Sequence, residues 1–341
     1  MYNYRLNDFR PYIYRTDDFG SSWELLTDGR NGIPKNHFVR VVREDPDRSG
    51  LLYAGTEFGM FVSFDDGRHW QPFQLNLPVT PITDFAVHRQ DLVVATQGRS
   101  FWILDDLTPL HQISDAVAAA QAHLHAPRKA YRMQEGGFRE PDAPERPPRG
   151  VLIYFFLAEK PEKEVALQIL DSKNNPIRTF STKPDEEKKI GKLELSAGMN
   201  RFVWDLAYPP ADTIRGIQLG LSRTDGPQAP PGAYQVKLTV GEWTQTRSFQ
   251  VDKDPRWQAS GEDLRAQFEL AVAVRDKLNE VHDAVRKVRS VREQAKAVAG
   301  NAVRAGADAK VRDGADALAR KLTEIEETLT QPKSVSSQDT V

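Results

Sequence analysis

The amino-acid sequence predicts a multidomain protein, mainly β plus α. The expected parts are a partial β-propeller of about two and a half blades, a β-sandwich, and a C-terminal antiparallel helical hairpin. Three observations carry this. An eight-residue turn motif occurs twice, 47 residues apart. Short apolar runs bounded by turn residues fill the stretch after Gly150. Beyond Pro255 the apolar period changes from two to three and four, the helical spacing. A chain of 341 residues has room for two or three units, each burying its own core. The boundaries expected are 1–107 for the blades, 108–150 for a connector and Pro/Gly-rich linker, 151–254 for the sandwich, 259–330 for the hairpin and 331–341 for a tail.

The repeated motif is Ser/Thr-x-Asp-x-Gly-x-x-Trp. It reads Thr16, Asp18, Gly20, Trp23 in the first copy and Ser63, Asp65, Gly67, Trp70 in the second. An Asp carboxylate caps backbone N–H groups in a tight turn, and Gly takes backbone angles that other residues avoid. The Trp is expected to fold back as an apolar lid. A decayed third copy, Ala95 to Asp106, aligns with Gly55 to Asp66 at an offset of 40 and lacks the Gly and the Trp. Between the motifs, Phe38–Val42 and Leu51–Ala54 read as strands, and Ile82–Val87 with Leu92–Ala95 repeats the arrangement. Four short strands every ~40–50 residues is the pitch of a propeller blade.

These residues resemble the Asp-box, or bacterial neuraminidase, repeat. The segments Arg10–Thr16, Leu52–Gly59 and Thr96–Asp106 look like the last blades of bacterial sortilin-like propeller proteins, which are often labelled glycosyl hydrolases. The resemblance implies a structural role for Asp18 and Asp65 at the blade periphery, peptide or protein ligands in the propeller tunnel, and export from the cytoplasm. A propeller closes with four to eight blades. The ring is therefore expected to be completed elsewhere, either by a longer protein of which this is the C-terminal piece or by a second chain.

In the connector, Ser114 to Ala122 is expected to form a short helix, and Gly136 to Gly150 a charged Pro/Gly-rich linker. Val151–Leu157, Val165–Leu170, Ile177–Phe180, Gly232–Val240 and Arg247–Val251 read as strands. Ala197–Asp205 followed by Pro230–Val236 is similar to the Ig-like module of the flagellar hook-capping family, which makes Trp204 a core residue. The insert Tyr208–Pro230 is the loop expected to meet partners. Ser260 with Asp263 resembles a capping box. Leu264, Phe268, Ala271, Val274, Leu278, Val281, Val285 and Val288 then follow heptad-like steps, and Val311, Ala315, Leu318, Leu322, Ile325 and Leu329 form a second stripe after a break expected at Gly300–Gly306. Each hairpin stripe needs further cover: the sandwich, another helix or a second copy.

Composition narrows the chemistry. There are 46 basic and 48 acidic residues and no cysteine. Near-neutral charge argues against a dedicated nucleic-acid binder, and the basic run Arg286–Arg292 is expected to be a solvated helix face. Thiolate metal sites and cysteine nucleophiles are excluded, and no apolar run reaches the ~20 residues that span a bilayer. The N-terminus shows no apolar signal-peptide region. His123 and His125, with His111 upstream, are expected at the surface, His69 at a variable turn position, and His282 exposed on the helix. No cofactor, metal site or catalytic residue is assigned. For a glycosidase, Asp105, Asp106, Asp84 and Glu57 are the acids available, and for a sialidase Arg40, Arg68, Arg89 and Arg99 would have to converge. The functional expectation is a non-catalytic binding or scaffold protein with a protein, peptide or glycan ligand. The alternative is a glycoside hydrolase, sialidase-like or glucanase-like, whose catalytic blades lie outside this chain.

Overall fold

The computed structural model describes residues 3–133, 148–214, 226–306 and 308–330. It is a mixed β plus α fold: several sheets followed by a C-terminal helical pair. The linker residues 136–147, residues 215–225 of the 208–230 insert and the 331–341 tail lie outside the described residues.

The first hundred residues form three successive antiparallel sheets. β1 (Tyr14–Arg15) pairs with β2 (Glu24–Leu25). Then β3 (Val39–Glu44), β4 (Leu52–Thr56), β5 (Met60–Ser63) and β6 (Gln71–Pro72) run as a four-stranded meander. β7 (Ile82–His88), β8 (Asp91–Thr96) and β9 (Phe101–Leu104) make a three-stranded one. β4 and β5 are buried along their whole length, so both faces of the central sheet are covered. One face packs Val41, Tyr53, Met60 and Val62 against Ile82, Phe85, Leu92 and Val94 of the third sheet. The other packs Val39, Leu52, Ala54, Phe61 and Trp70 against Ile13 and Ile33 of the first unit.

The connector is more structured than the sequence suggests. α1 (Thr108–Gln112) precedes α2 (Asp115–Ala118), which is shorter than the helix expected from Ser114 to Ala122. Ser114 Oγ caps it by accepting from the Val117 N–H. β10 (Ala122–Leu124) and β11 (Ala130–Arg132) then join the sheets of the following region. β10 pairs with β12 (Val151–Leu157), whose other partner is β16 (Gly198–Trp204). β11 opens a six-stranded sheet with β18 (Trp243–Lys253), β17 (Gly232–Val240), β13 (Val165–Leu170), β14 (Pro176–Ser181) and β15 (Ile190–Lys192), in that order. Alternate residues of both sheets share one core around Trp204. Its indole is fully buried, donates to the Ala207 carbonyl (3.2 Å), and meets the rings of Tyr234 and Phe249 at 5.4 and 6.1 Å.

The capping box forms: Ser260 Oγ accepts from Asp263 N–H, and the Asp263 carboxylate accepts from Ser260 N–H. It opens α3 (Gly261–Arg304), 44 residues long, which α4 (Ala309–Leu329) follows in antiparallel contact. The helix passes through Gly300, so the expected break moves to the residues after Arg304, with Gly306 left-handed at φ 62°. A glycine flanked by helix formers costs only about 1 kcal/mol, too little to stop so long a helix.

Candidate functional site

The two Asp-box turns are built alike. In the first, Thr16 Oγ1 donates to Asp18 (2.8 Å) and accepts from Gly20 N–H (2.7 Å), while Asp18 accepts from Ser22 N–H (2.8 Å). In the second, Ser63 Oγ donates to Asp65 (2.8 Å) and accepts from Gly67 N–H (2.9 Å), and Asp65 accepts from His69 N–H (2.9 Å). Phe19 and Gly20, like Asp66 and Gly67, are left-handed, which explains the glycine in each. A Cβ placed on either glycine would stand 3.5 Å from Cζ2 of its own motif tryptophan. Both carboxyls are held below the usual range. Hydrogen bonds from Ser22 bring Asp18 to about 2; burial pushes Asp65 up, but bonds from His69 and Ser63 outweigh it. His69, at the variable position, lays its ring nitrogen 2.6 Å from Asp65.

The indoles differ in their cover. Trp70 is 4% exposed and Trp23 is 61% exposed. Over Trp70 lies the strand-free segment that follows the first motif: Trp70 N–H donates to the Asn31 carbonyl (2.8 Å), and the Asn31 amide clamps the carbonyls of Leu26 and Arg68 (2.6 and 3.1 Å). Ile33 and Leu26 complete the lid. Trp23 has no such cover among the described residues, and Phe19, Tyr14 and Leu25 beside it are exposed. The expectation of two equivalent lids therefore holds for the turn and fails for the surroundings.

The third sheet has exposed apolar residues as well. β9 is an edge strand whose Phe101 and Ile103 are exposed. Met60 pairs with Gly55 and Phe101 with Ala95, the residue 40 later, so Phe101 and Ile103 occupy the places of Met60 and Val62. In the central sheet those places are buried against the next sheet. The third copy keeps only half of the turn conformation: Asp106 is left-handed at φ 71°, as Asp66 is at 66°, but Leu107, in the place of Gly67, is at φ −82°.

The acids and arginines named from the sequence do not gather into one centre. Arg40 pairs with Glu57 (2.6 Å) and Arg43 with Asp84 (2.9 Å). Arg99 lies in the β8–β9 turn, at the same end of the meanders as the Arg40–Glu57 pair; Arg68 and Arg89 lie in turns at the other end. Asp105 and Asp106 follow β9. The Asp106 carboxyl is buried, with Oδ1 accepting from Thr108 N–H and Oγ1 and with Oδ2 free of hydrogen-bond partners. Burial raises both carboxyls, and Asp91 adds to the effect. Arg128 bridges this junction, 2.6 Å from Asp91 and 4.0 Å from Asp106.

The histidines depart most from expectation. His111 reaches the buried Asp45 (3.0 Å), which also accepts from Tyr53 OH (2.8 Å) and from the N–H groups of Asp47 and Arg48. Asp45, Asp47 and His111 place possible ligand atoms within 4.8 Å of one another, but both Asp45 oxygens are already taken by donors, and the trio latches α1 onto the central sheet. His125 is buried rather than superficial; neither ring nitrogen has a partner, and the His123 ring lies 4.8 Å away. Burial, with help from His123 and Arg247, depresses His125 to about 4. His282 is buried too, because its Nδ1–H donates to the Asp212 carbonyl (2.5 Å) where the 208–214 segment lies along α3. The basic run is not all solvated: Arg289 and Arg292 grip the buried Glu326 of α4 at 2.7 and 2.6 Å.

No family model and no curated protein matches the chain. The solved structures similar over part of it include the extracellular domains of the putative one component system BT4673 and of the putative hybrid two component system BT4673 from B. thetaiotaomicron. Identities are 10% and 9%, TM-scores 0.23 for both, and the aligned regions cover 73% and 71% of this chain. The chain spans 29% and 28% of those proteins. Likeness at that level assigns neither fold nor function, and the resemblance to Asp-box repeats rests on the motif residues alone. No described helix is long and apolar enough to cross a membrane.

Proposed function

We propose that the chain is a non-catalytic binding or scaffold protein whose first three sheets are successive units of an incomplete Asp-box propeller. One observation carries this: the same turn brings Trp23 and Trp70 equally close to their motif glycines, yet only Trp70 is covered, and its cover comes from the unit before it. The uncovered Trp23 at one end and Phe101 with Ile103 at the other are the faces that further repeat units would bury. Those units come from a longer chain or a second one, and the completed ring presents a site for a protein, peptide or glycan. The two sheets around Trp204 act as a β-sandwich spacer, the long helices pack against it, and export from the cytoplasm belongs to the same proposal.

The glycoside hydrolase alternative draws on Asp105 and Asp106, whose raised carboxyls resemble a general acid in kind. Against it, Asp106 is buried and committed to Thr108. Assay of the purified chain on sialosides and β-glucans is expected to show no turnover. Turnover abolished by Asp105→Asn would replace the binding role with the hydrolase.

A further inference from the structure

Leaving the propeller aside, the helical pair carries an apolar face that its own contacts do not use. On α4, Val311, Leu318 and Ile325 recur every seven residues and are 44–48% exposed. On α3, Val291 and Val298 are also seven apart and 42% and 48% exposed. The α3–α4 seam is made by other residues: Ala295, Ala299 and Ala302 are buried on α3 and Ala319 and Glu326 on α4, and Arg292 pairs with Glu326 across it. Stepping about 100° per residue, the exposed stripe lies roughly 60° from the seam on α3 and roughly 90–100° from it on α4. Because the helices are antiparallel, both offsets fall on the same side of the hairpin. The two stripes therefore border a single groove with small alanines along its floor.

Seven-residue spacing on both walls fits a third helix, not a strand or a flat surface. The rims state its charge. Lys287, Gln294 and Asn301 line the α3 side, and Lys310 and Lys321 line the α4 side, all exposed. Along this stretch neither rim carries a carboxylate, whereas the opposite side of the hairpin holds Asp316 and Glu327. A second copy of the hairpin would set lysine against lysine, which is repulsive at close quarters. We infer that this groove binds an amphipathic helix of another protein, with an apolar heptad stripe flanked by acidic residues.

The test uses the full chain and two labelled synthetic peptides of four heptads, with Ile and Leu at the core positions. One carries Glu at the flanking positions and the other Lys. In fluorescence anisotropy the Glu peptide is expected to bind saturably and at least about ten-fold tighter than the Lys peptide, a difference of about 1.4 kcal/mol. Leu318→Gln should weaken it about ten-fold or more, and Lys287→Glu with Lys321→Glu should reverse the preference. Val298→Gln on α3 provides an independent reading should Leu318→Gln disturb the fold, which circular dichroism reports. Failure of both peptides to bind, equal binding of the two, or binding indifferent to Leu318→Gln and Val298→Gln would overturn the inference. So would self-association in sedimentation that Leu318→Gln disperses, which gives the groove to a second copy.

Discussion

Asp18 and Asp65 do the same local work, and their tryptophans do not. Removing a carboxylate that accepts two or three hydrogen bonds leaves donors without partners, at about 1–3 kcal/mol. Asp65→Ala is expected at the upper end of that range, since Ser63 beneath it is fully buried, and Asp18→Ala is expected to cost less, since its turn is exposed. Trp70→Ala opens a cavity in a packed cluster and is expected to cost about 3–5 kcal/mol. Trp23→Ala should cost under about 1 kcal/mol in the isolated chain. Urea unfolding of the four variants gives the comparison; equal losses for the two tryptophans would contradict the difference in cover. His125 supplies a pH dependence. Its folded value, about 4, lies below the ~6.5 of an unfolded chain, so the unfolded state binds the extra proton between those values. Stability is complete above about pH 6.5 and falls as pH drops toward 4. His125→Gln, melted across that window, is expected to lose part of the acid sensitivity.

At the scale of elements, periodicity announced strands and helices well and their partners poorly. Leu264, Val285 and the capping box were legible because an amphipathic pattern and a cap are local features. The burial of His282 was not, because its partner is a backbone carbonyl 70 residues away. The same holds for His111 on Asp45, 66 residues apart. Ala122–Leu124 lacks any strand signature of its own and is a strand because β12 offers it an edge. Nothing in the sequence sets Glu326 apart from the other acids of the helices. It is the buried tie between the helices: burial would raise its carboxyl, but Arg289 and Arg292 hold it below the usual value. Glu326→Ala leaves the two guanidinium groups facing each other. The expected loss is about 2–3 kcal/mol, less than a fully buried pair would give because both arginines remain partly wetted. Helix melting followed at 222 nm reads it, and an unchanged melt would reduce the tie to a surface ion pair.

For the whole molecule, the repeated turn was legible in the sequence, because Asp, Gly and Trp at fixed offsets are demanded by one turn. What the motif could not reveal was that the first unit covers the second, with Asn31 and Ile33 closing over Trp70. That direction leaves two unlike ends with exposed apolar residues, Trp23 at one and Phe101 with Ile103 at the other. If the proposed array is incomplete, unlike ends of this sort are expected to associate head to tail. Sedimentation velocity over a wide concentration range, on the native chain and on a Trp23→Ser, Ile103→Lys double variant, tests the open array most directly. The native chain is expected to form concentration-dependent oligomers that the double variant does not, while a native chain that stays monomeric throughout, or oligomers that survive both substitutions, would contradict it.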